Sequence, residues 1–187
     1  MISKHVLDSA RTHDRTWLDA DSWRKVQASV PIACVDVLPL RTVGGRLTQL
    51  GLILRDTPNQ GLRWCLIGGR LLRDESFVEA VRRQVRDALG PVVTARVDDD
   101  AHPIYVAQYF TIPRETGSFD PRQHAIGLIF RAMLDGDPEP QGEALEFRWF
   151  QRNALPLAHE LGFGQDRIIA ACLERLDEIH SPRQQSR

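Results

Sequence analysis

The chain has 187 residues, 42% of them hydrophobic and 26% charged, a composition that suits one globular domain and excludes a disordered or fibrous protein. The formal net charge of -1 leaves no overall field to draw in nucleic acid or an acidic membrane surface. The three cysteines, Cys34, Cys65 and Cys172, are too few and too scattered for a disulfide scaffold or a metal cluster. Cys34 and Cys65 sit in apolar runs and read as small core residues. No segment approaches the ~18 continuous apolar residues of a membrane helix, and the opening MISKHVLDSARTH lacks the apolar stretch of a signal peptide. A soluble, cytoplasmic protein is the expectation. Basic residues are lopsided: only Lys4 and Lys25 are lysines, against 22 arginines. A GC-rich genome explains that, and so does phosphate recognition by the guanidinium fork.

In chain order, residues 1–15 predict a flexible arm. Asp19 is placed to cap a helix carrying Trp23, Val26 and Val30 on one side, stopped by Pro31. Strands follow at Ile32 to Leu38, Leu50 to Leu54 and Trp64 to Ile67, with a turn at Gly44-Gly45. Val78, Val81, Val85 and Leu89 recur at helical spacing, so residues 76–89 predict an amphipathic helix ended by Gly90-Pro91. Further strands are expected at Val92 to Val97, Ile104 to Ile112, Ala125 to Leu134 and Leu145 to Phe150. Pro113 to Gln123 and Asp135 to Gly142 predict loops. A short helix at Ala154 to Glu160 and a longer one at Asp166 to Ile179, with Ile168, Ala171, Cys172 and Leu176 inward, complete a single domain over 16–180. The tail at 181–187 predicts flexibility. Mixed strands with flanking helices define an α/β class with a sheet between helices.

The densest signal is the segment from Gly68-Gly69-Arg70 through Asp74-Glu75 and Arg83 to Gly90. Gly69 is followed by five residues and Glu75, then by seven residues and Arg83. This spacing resembles the Nudix hydrolase signature, and the flanking Arg55, Trp64 and Arg148-Trp149-Phe150 agree with it. The resemblance spans about residues 32 to 155. It implies a Nudix-type α/β/α sandwich with a mixed sheet, here with an extra N-terminal helix. It also implies a loop and helix that hold a divalent cation through oxygen ligands against a diphosphate. Within that pattern Glu75 pairs with Arg83 and fixes the loop to the helix, while Glu79, Arg83 and Asp87 share one helical column.

The second half of the box departs from the pattern. Gln84 stands where the signature has a glutamate, and Asp87-Ala88 stand for its paired glutamates. The remaining metal set is the Gly69 carbonyl, Gln84 and Asp87, which implies weakly bound Mg²⁺ or Mn²⁺. The opening Gly-Gly-Arg, the Asp74-Glu75 pair and the helix before the first strand resemble GDP-mannose mannosyl hydrolases. The retained acid of that branch falls at Ala88, and its histidine base has no counterpart at Ala144. Glu143 and Glu146 are the candidates to replace the base, and Arg55 and Arg70 the candidates to bind substrate phosphates. His124 is a further acid–base candidate on a loop, and His102 and Trp64 are candidates to line a base pocket.

Two functions stay open on this reading. One is metal-dependent hydrolysis of a nucleoside diphosphate derivative, best a nucleotide sugar. The other is a catalytically impaired Nudix-fold protein that binds a nucleotide or a protein partner. The partner in the first case is a small-molecule nucleotide. The helix bearing Trp17 and Trp23 would suit a homodimer contact.

Overall fold

The computed structural model describes residues 18–180. The expected arm, Trp17 and the tail lie outside the described residues. Helix α1 (Ala20–Ser29) starts where Asp19 accepts hydrogen bonds from the Asp21 and Ser22 N–H groups at 3.0 and 2.9 Å. Trp23 and Val26 pack against the core. Val30 is exposed instead, because the helix stops one residue earlier and Val30 is already extended.

The strands are β1 (Ile32–Val43), β2 (Arg46–Thr57), β3 (Gly61–Cys65), β4 (Ile67–Arg70), β5 (Thr94–Arg96), β6 (Tyr105–Phe110), β7 (Ser118–Phe119), β8 (Ala125–Asp135) and β9 (Glu146–Gln151). Their order is β3-β2-β1-β8-β6-β7, with β4 on β1, β5 on β8 and β9 on β2. β1 runs through the middle. Ile32 to Leu40 pair in parallel with Ala125 to Met133 of β8. On its other edge β1 pairs first with β4 and then with β2, both antiparallel. The sheet is therefore mixed, and from Ile32 to Leu40 β1 reads as an apolar run interrupted only by Asp36, because both its faces are covered.

Helix α2 (Phe77–Leu89) buries Val78, Val81, Val85 and Leu89, the stripe expected from their spacing. Helix α3 (Gln165–His180) buries Ile168, Ile169, Cys172 and Leu176, with Ala171 half-buried. Successive residues of a strand point to opposite faces. Gly69, paired with Val35, lies against Gln84 of α2. Gly68, paired with Asp36, lies on the face where Asp36 reaches Tyr109 and Tyr109 reaches Gln165 of α3. The two helices thus cover opposite faces, which makes the α/β/α sandwich.

Three expectations need correction. Strand pairing is confined to Thr94–Arg96 and Tyr105–Phe110, shorter than the apolar runs around them. The expected loop at 113–123 carries the two-residue strand β7, added in parallel to the end of β6. The helix expected at Ala154 to Glu160 is a pair of 3₁₀ turns, Ala158–Glu160 and Gly162–Gly164, that lead into α3. Among the described residues no helix is long and apolar enough to cross a membrane.

Candidate functional site

A cavity of about 420 Å³ opens on the α3 face of the sheet. Its floor is Cys34 and Asp36 of β1 with the Gly68–Arg70 backbone of β4. Its walls are Arg55, Cys65, Tyr109, Phe163 and Gln165. Its rim is Trp23, the Asp120–Gln123 segment and Glu143. A larger open hollow, about 1290 Å³, lies elsewhere, along the Thr94 to Val106 segment and the last turns of α3. It holds His102.

Asp36 is 7% exposed and is bonded through one carboxylate oxygen. The Tyr109 hydroxyl donates to Asp36 Oδ2 at 3.0 Å and accepts from Gln165 Nε2 at 3.2 Å. Gln165 Oε1 in turn accepts from the Leu66 N–H at 2.8 Å. A buried polar chain survives only when each member has a hydrogen-bond partner, as each has here. Space for the carboxylate comes from two glycines: a Cβ on Gly68 would stand 2.0 Å from Asp36 Oδ1, and one on Gly127 2.8 Å from Oδ2. Burial pushes the Asp36 carboxyl up to about 6, against the Tyr109 hydrogen bond and the Arg55 charge, with Glu143 pushing it up further. Burial also holds the Cys34 and Cys65 thiols up at about 12, so neither is a nucleophile at neutral pH.

Arginines and aromatic rings dominate one side of the cavity. Arg55 grips Glu143 through both terminal nitrogens, at 2.7 and 2.6 Å, and its Nε is buried with no hydrogen-bond partner among the described residues. Arg122 grips Asp120 through Nε and a terminal nitrogen, both at 2.9 Å, and that hydrogen-bonded pairing holds its guanidinium above its ordinary value. The Phe163 ring is near both, 5.7 Å from the Arg55 guanidinium and 5.3 Å from that of Arg122. Phe163 has φ +58, a conformation unusual for a bulky residue, and its N–H is held by Gln60 at 3.0 Å. Arg70 stacks on Trp23 at 4.4 Å.

The box sits on the other side of the sheet. Glu75 receives Arg83 Nε at 2.6 Å, an Arg83 terminal nitrogen at 2.9 Å and the Leu72 N–H at 3.0 Å. The same Arg83 nitrogen donates to the Arg70 carbonyl at 3.0 Å. Burial alone would raise the Glu75 carboxyl, but the Arg83 hydrogen bond and the Leu72 N–H together bring it below its ordinary value. Gln84 is buried under Gly69. With its carboxamide oriented to satisfy both neighbours, its oxygen accepts from the Gly69 N–H at 3.2 Å and from Arg83 at 3.3 Å. Asp87 is about half exposed, faces Arg83 and Arg86 at 3.7 and 3.5 Å, and does not line the cavity. Ala88 is buried and offers no donor atom. Hard cations need several oxygen ligands, usually including one or two carboxylates. With Gln84 Oε1 committed to two N–H donors and Asp87 turned to two arginines, this donor set does not fit the divalent ion that the resemblance implies. Among the described residues no three His, Cys, Asp or Glu side chains converge.

Of the residues singled out in the sequence, the fold brings Arg55, Gly69, Arg70 and Glu143 to the cavity. Glu75, Arg83, Gln84 and Asp87 belong to the box behind it. Glu146 lies on β9, bonded at 2.6 Å to Arg148 two residues along its own strand and outside the cavity lining. His124, expected on a solvated loop, is stacked on Phe110 at 5.2 Å, with Nε2 buried and lacking a hydrogen-bond partner among the described residues. Trp64 is core, edge-on to Phe150. Trp23, weighed above for a dimer contact, packs at the cavity rim. Asp36, Tyr109, Asp120, Arg122, Phe163 and Gln165 were not singled out. A lone acid within the apolar run Ile32 to Leu40 was the available signal for Asp36; the others are joined to it only by long-range packing.

This architecture is the Nudix fold. A crystal structure of a possible asymmetric diadenosine tetraphosphate (Ap4A) hydrolase from Jonesia denitrificans is similar over 82% of this chain and 99% of that one, at 29% identity and a TM-score of 0.73. A MutT Nudix hydrolase from Burkholderia pseudomallei shares the fold at 20% identity and a TM-score of 0.58, over 79% of this chain and 98% of that one. So does the Nudix domain of Shewanella oneidensis NrtR, solved with ADP ribose, at 15% identity and a TM-score of 0.53, over 86% and 99%. No curated protein matches the chain. By sequence, the chain belongs to the family described as Domain of unknown function (DUF4916), whose model matches residues 13–177.

Proposed function

We propose that this protein hydrolyses a nucleoside diphosphate derivative, with a nucleotide sugar as the favoured class, in the cavity beside Asp36. The observation that carries this reading is the convergence of Arg55, Arg70 and Arg122 with two aromatic rings on one cavity of ligand size. Guanidinium forks match phosphate oxygens in pairs. Trp23, half-buried at the rim, offers a flat apolar face to a base. Asp36 offers its Oδ1, which the Tyr109 hydroxyl does not engage, as an acceptor for a ligand hydroxyl. Glu143, on the exposed loop before β9, is the acid placed to orient water once phosphate has taken its place on Arg55. The fold shared with a possible Ap4A hydrolase and with a domain solved with ADP ribose supports a nucleotide derivative as substrate. The Gly-Gly-Arg opening of the box supports the nucleotide-sugar class.

Nucleotide sugars and dinucleoside polyphosphates incubated with the protein, with and without Mg²⁺ or Mn²⁺, test this reading. Release of a nucleotide product, abolished in Glu143→Gln, is expected. No turnover above that of the variant on any substrate would sink it. A second reading, nucleotide binding without chemistry, is favoured by the altered box at Gln84 and Ala88. Calorimetry that shows tight nucleotide binding with no product formed would select it.

A further inference from the structure

We infer that the diphosphate of a bound ligand is neutralised here by Arg55 and Arg122 beside Phe163, with no divalent ion joining it to the box helix. This inference rests on the cavity reading above and specifies its electrostatics. A diphosphate carries two or more negative charges and must be met by cations when it leaves water. In the resemblance that role falls to a metal held by the box. The box of this chain has spent its donors: Gln84 Oε1 accepts from Gly69 and Arg83, and Asp87 is turned away from the cavity.

The cavity instead carries its own cations, and their partners are of two kinds. Asp120 is 5% exposed and also accepts the Arg122 backbone N–H at 3.0 Å, so it is a fixed anchor for that arginine. Glu143 is about half exposed on a loop, while the Arg55 side chain it grips is only 12% exposed. A carboxylate in a bidentate grip occupies the geometry that a phosphate would take. Glu143 is therefore an exchangeable occupant of a phosphate site, and Asp120 is the strut that aims the second arginine. Arg55 also keeps its buried Nε–H without a hydrogen-bond acceptor among the described residues, a donor that a phosphate oxygen would satisfy. Phe163, held at φ +58 between Gly162 and Gly164, brings its ring within 5.7 Å of the Arg55 guanidinium and 5.3 Å of that of Arg122.

Calorimetric titration of the full chain with ADP and with inorganic pyrophosphate tests this, once in excess EDTA and once in Mg²⁺. Affinities in EDTA within about threefold of those in Mg²⁺ are expected, together with at least a tenfold loss in Arg122→Gln. Because Arg122→Gln releases Asp120, its melting curve is recorded alongside, and the wild-type comparison stands without it. Binding that appears only with Mg²⁺ overturns the inference and leaves the cavity reading intact. Equal affinity in Arg122→Gln, folded, overturns the role of that arginine. No binding of either probe under either condition overturns both the inference and the cavity reading.

Discussion

Asp36 is the residue whose chemistry depends most on where the fold has put it. Its carboxyl is moved from an ordinary 3.8 up to about 6, chiefly by burial. A carboxyl that holds its proton more tightly in the folded state favours folding while it is protonated. That contribution is fully present below about pH 3.8 and is lost as pH rises through about 6. Glu75 and Glu79 are held below their ordinary values and work in the opposite direction, losing stability as pH falls. The total curve therefore mixes signs, and the difference between proteins isolates Asp36. Asp36→Asn keeps an acceptor for the Tyr109 hydroxyl and removes the charge. Its melting temperature, relative to wild type, is expected to rise as pH moves from 4 to 7; a constant difference across that range would refute the assignment. The Glu75–Arg83 pair offers a second test at this scale. It ties the loop before α2 to the helix through hydrogen bonds at 2.6 and 2.9 Å. Hydrogen bonds to charged groups contribute roughly 1.5–3 kcal/mol, so Arg83→Ala is expected to lower stability by about that much in urea denaturation.

Helix α2 shows what an element needs in order to be legible in sequence. Its apolar residues repeat at helical spacing, Ser76 stands at its start and Gly90 at its end. Ser76 and Glu79 close a capping box: Ser76 Oγ accepts the Glu79 N–H at 3.3 Å and Glu79 takes the Ser76 N–H at 2.8 Å. Ser76→Ala is expected to cost about 1 kcal/mol, read as a shifted denaturation midpoint with an unchanged slope. Strand β4 teaches the reverse. Gly68 and Gly69 follow the strand expected at Trp64 to Ile67, yet both lie within β4 and each clears room on a different face. Gly68→Ala would drive a Cβ to 2.0 Å from Asp36 Oδ1 and 2.9 Å from the Asp36 Cα and the Val35 carbonyl. Backbone atoms cannot give way as a side chain can, so a loss of more than 2 kcal/mol is expected, roughly the upper part of the overpacking range. Local periodicity and punctuation therefore carried α1, α2, α3 and the central strands, while the box came from its resemblance to a known signature. They carried little of the cavity, because Asp36, Tyr109, Arg122 and Phe163 lie on four segments that meet only when β1, β6, β8 and α3 pack. Phe163 in particular stands between two glycines, a pattern that in sequence reads only as a turn.

At the scale of the whole molecule, the cavity is where the two ends of the described chain and the middle of the sheet come together. Trp23 of α1 stands at its rim, Gln165 opens α3 at its wall, and β1 and β4 form its floor. A ligand seated there touches elements that are otherwise joined mainly through the sheet, and the unfolded chain has no such site. Binding to the native state alone stabilises it by RT ln(1 + [L]/Kd), about 2.7 kcal/mol at a hundredfold excess over Kd. For a chain of this size each kcal/mol moves the melting temperature by roughly 2–4 °C. The nucleotide derivative accepted by the cavity is thus expected to raise the melting temperature by about 5–10 °C at that excess, measured by calorimetric or fluorescence melting. The rise should be lost in Arg55→Gln, because that substitution removes the phosphate fork while leaving Asp36, Tyr109 and Gln165 in place. If Arg55→Gln kept the full shift, the ligand would be stabilising the protein from somewhere other than this arginine wall.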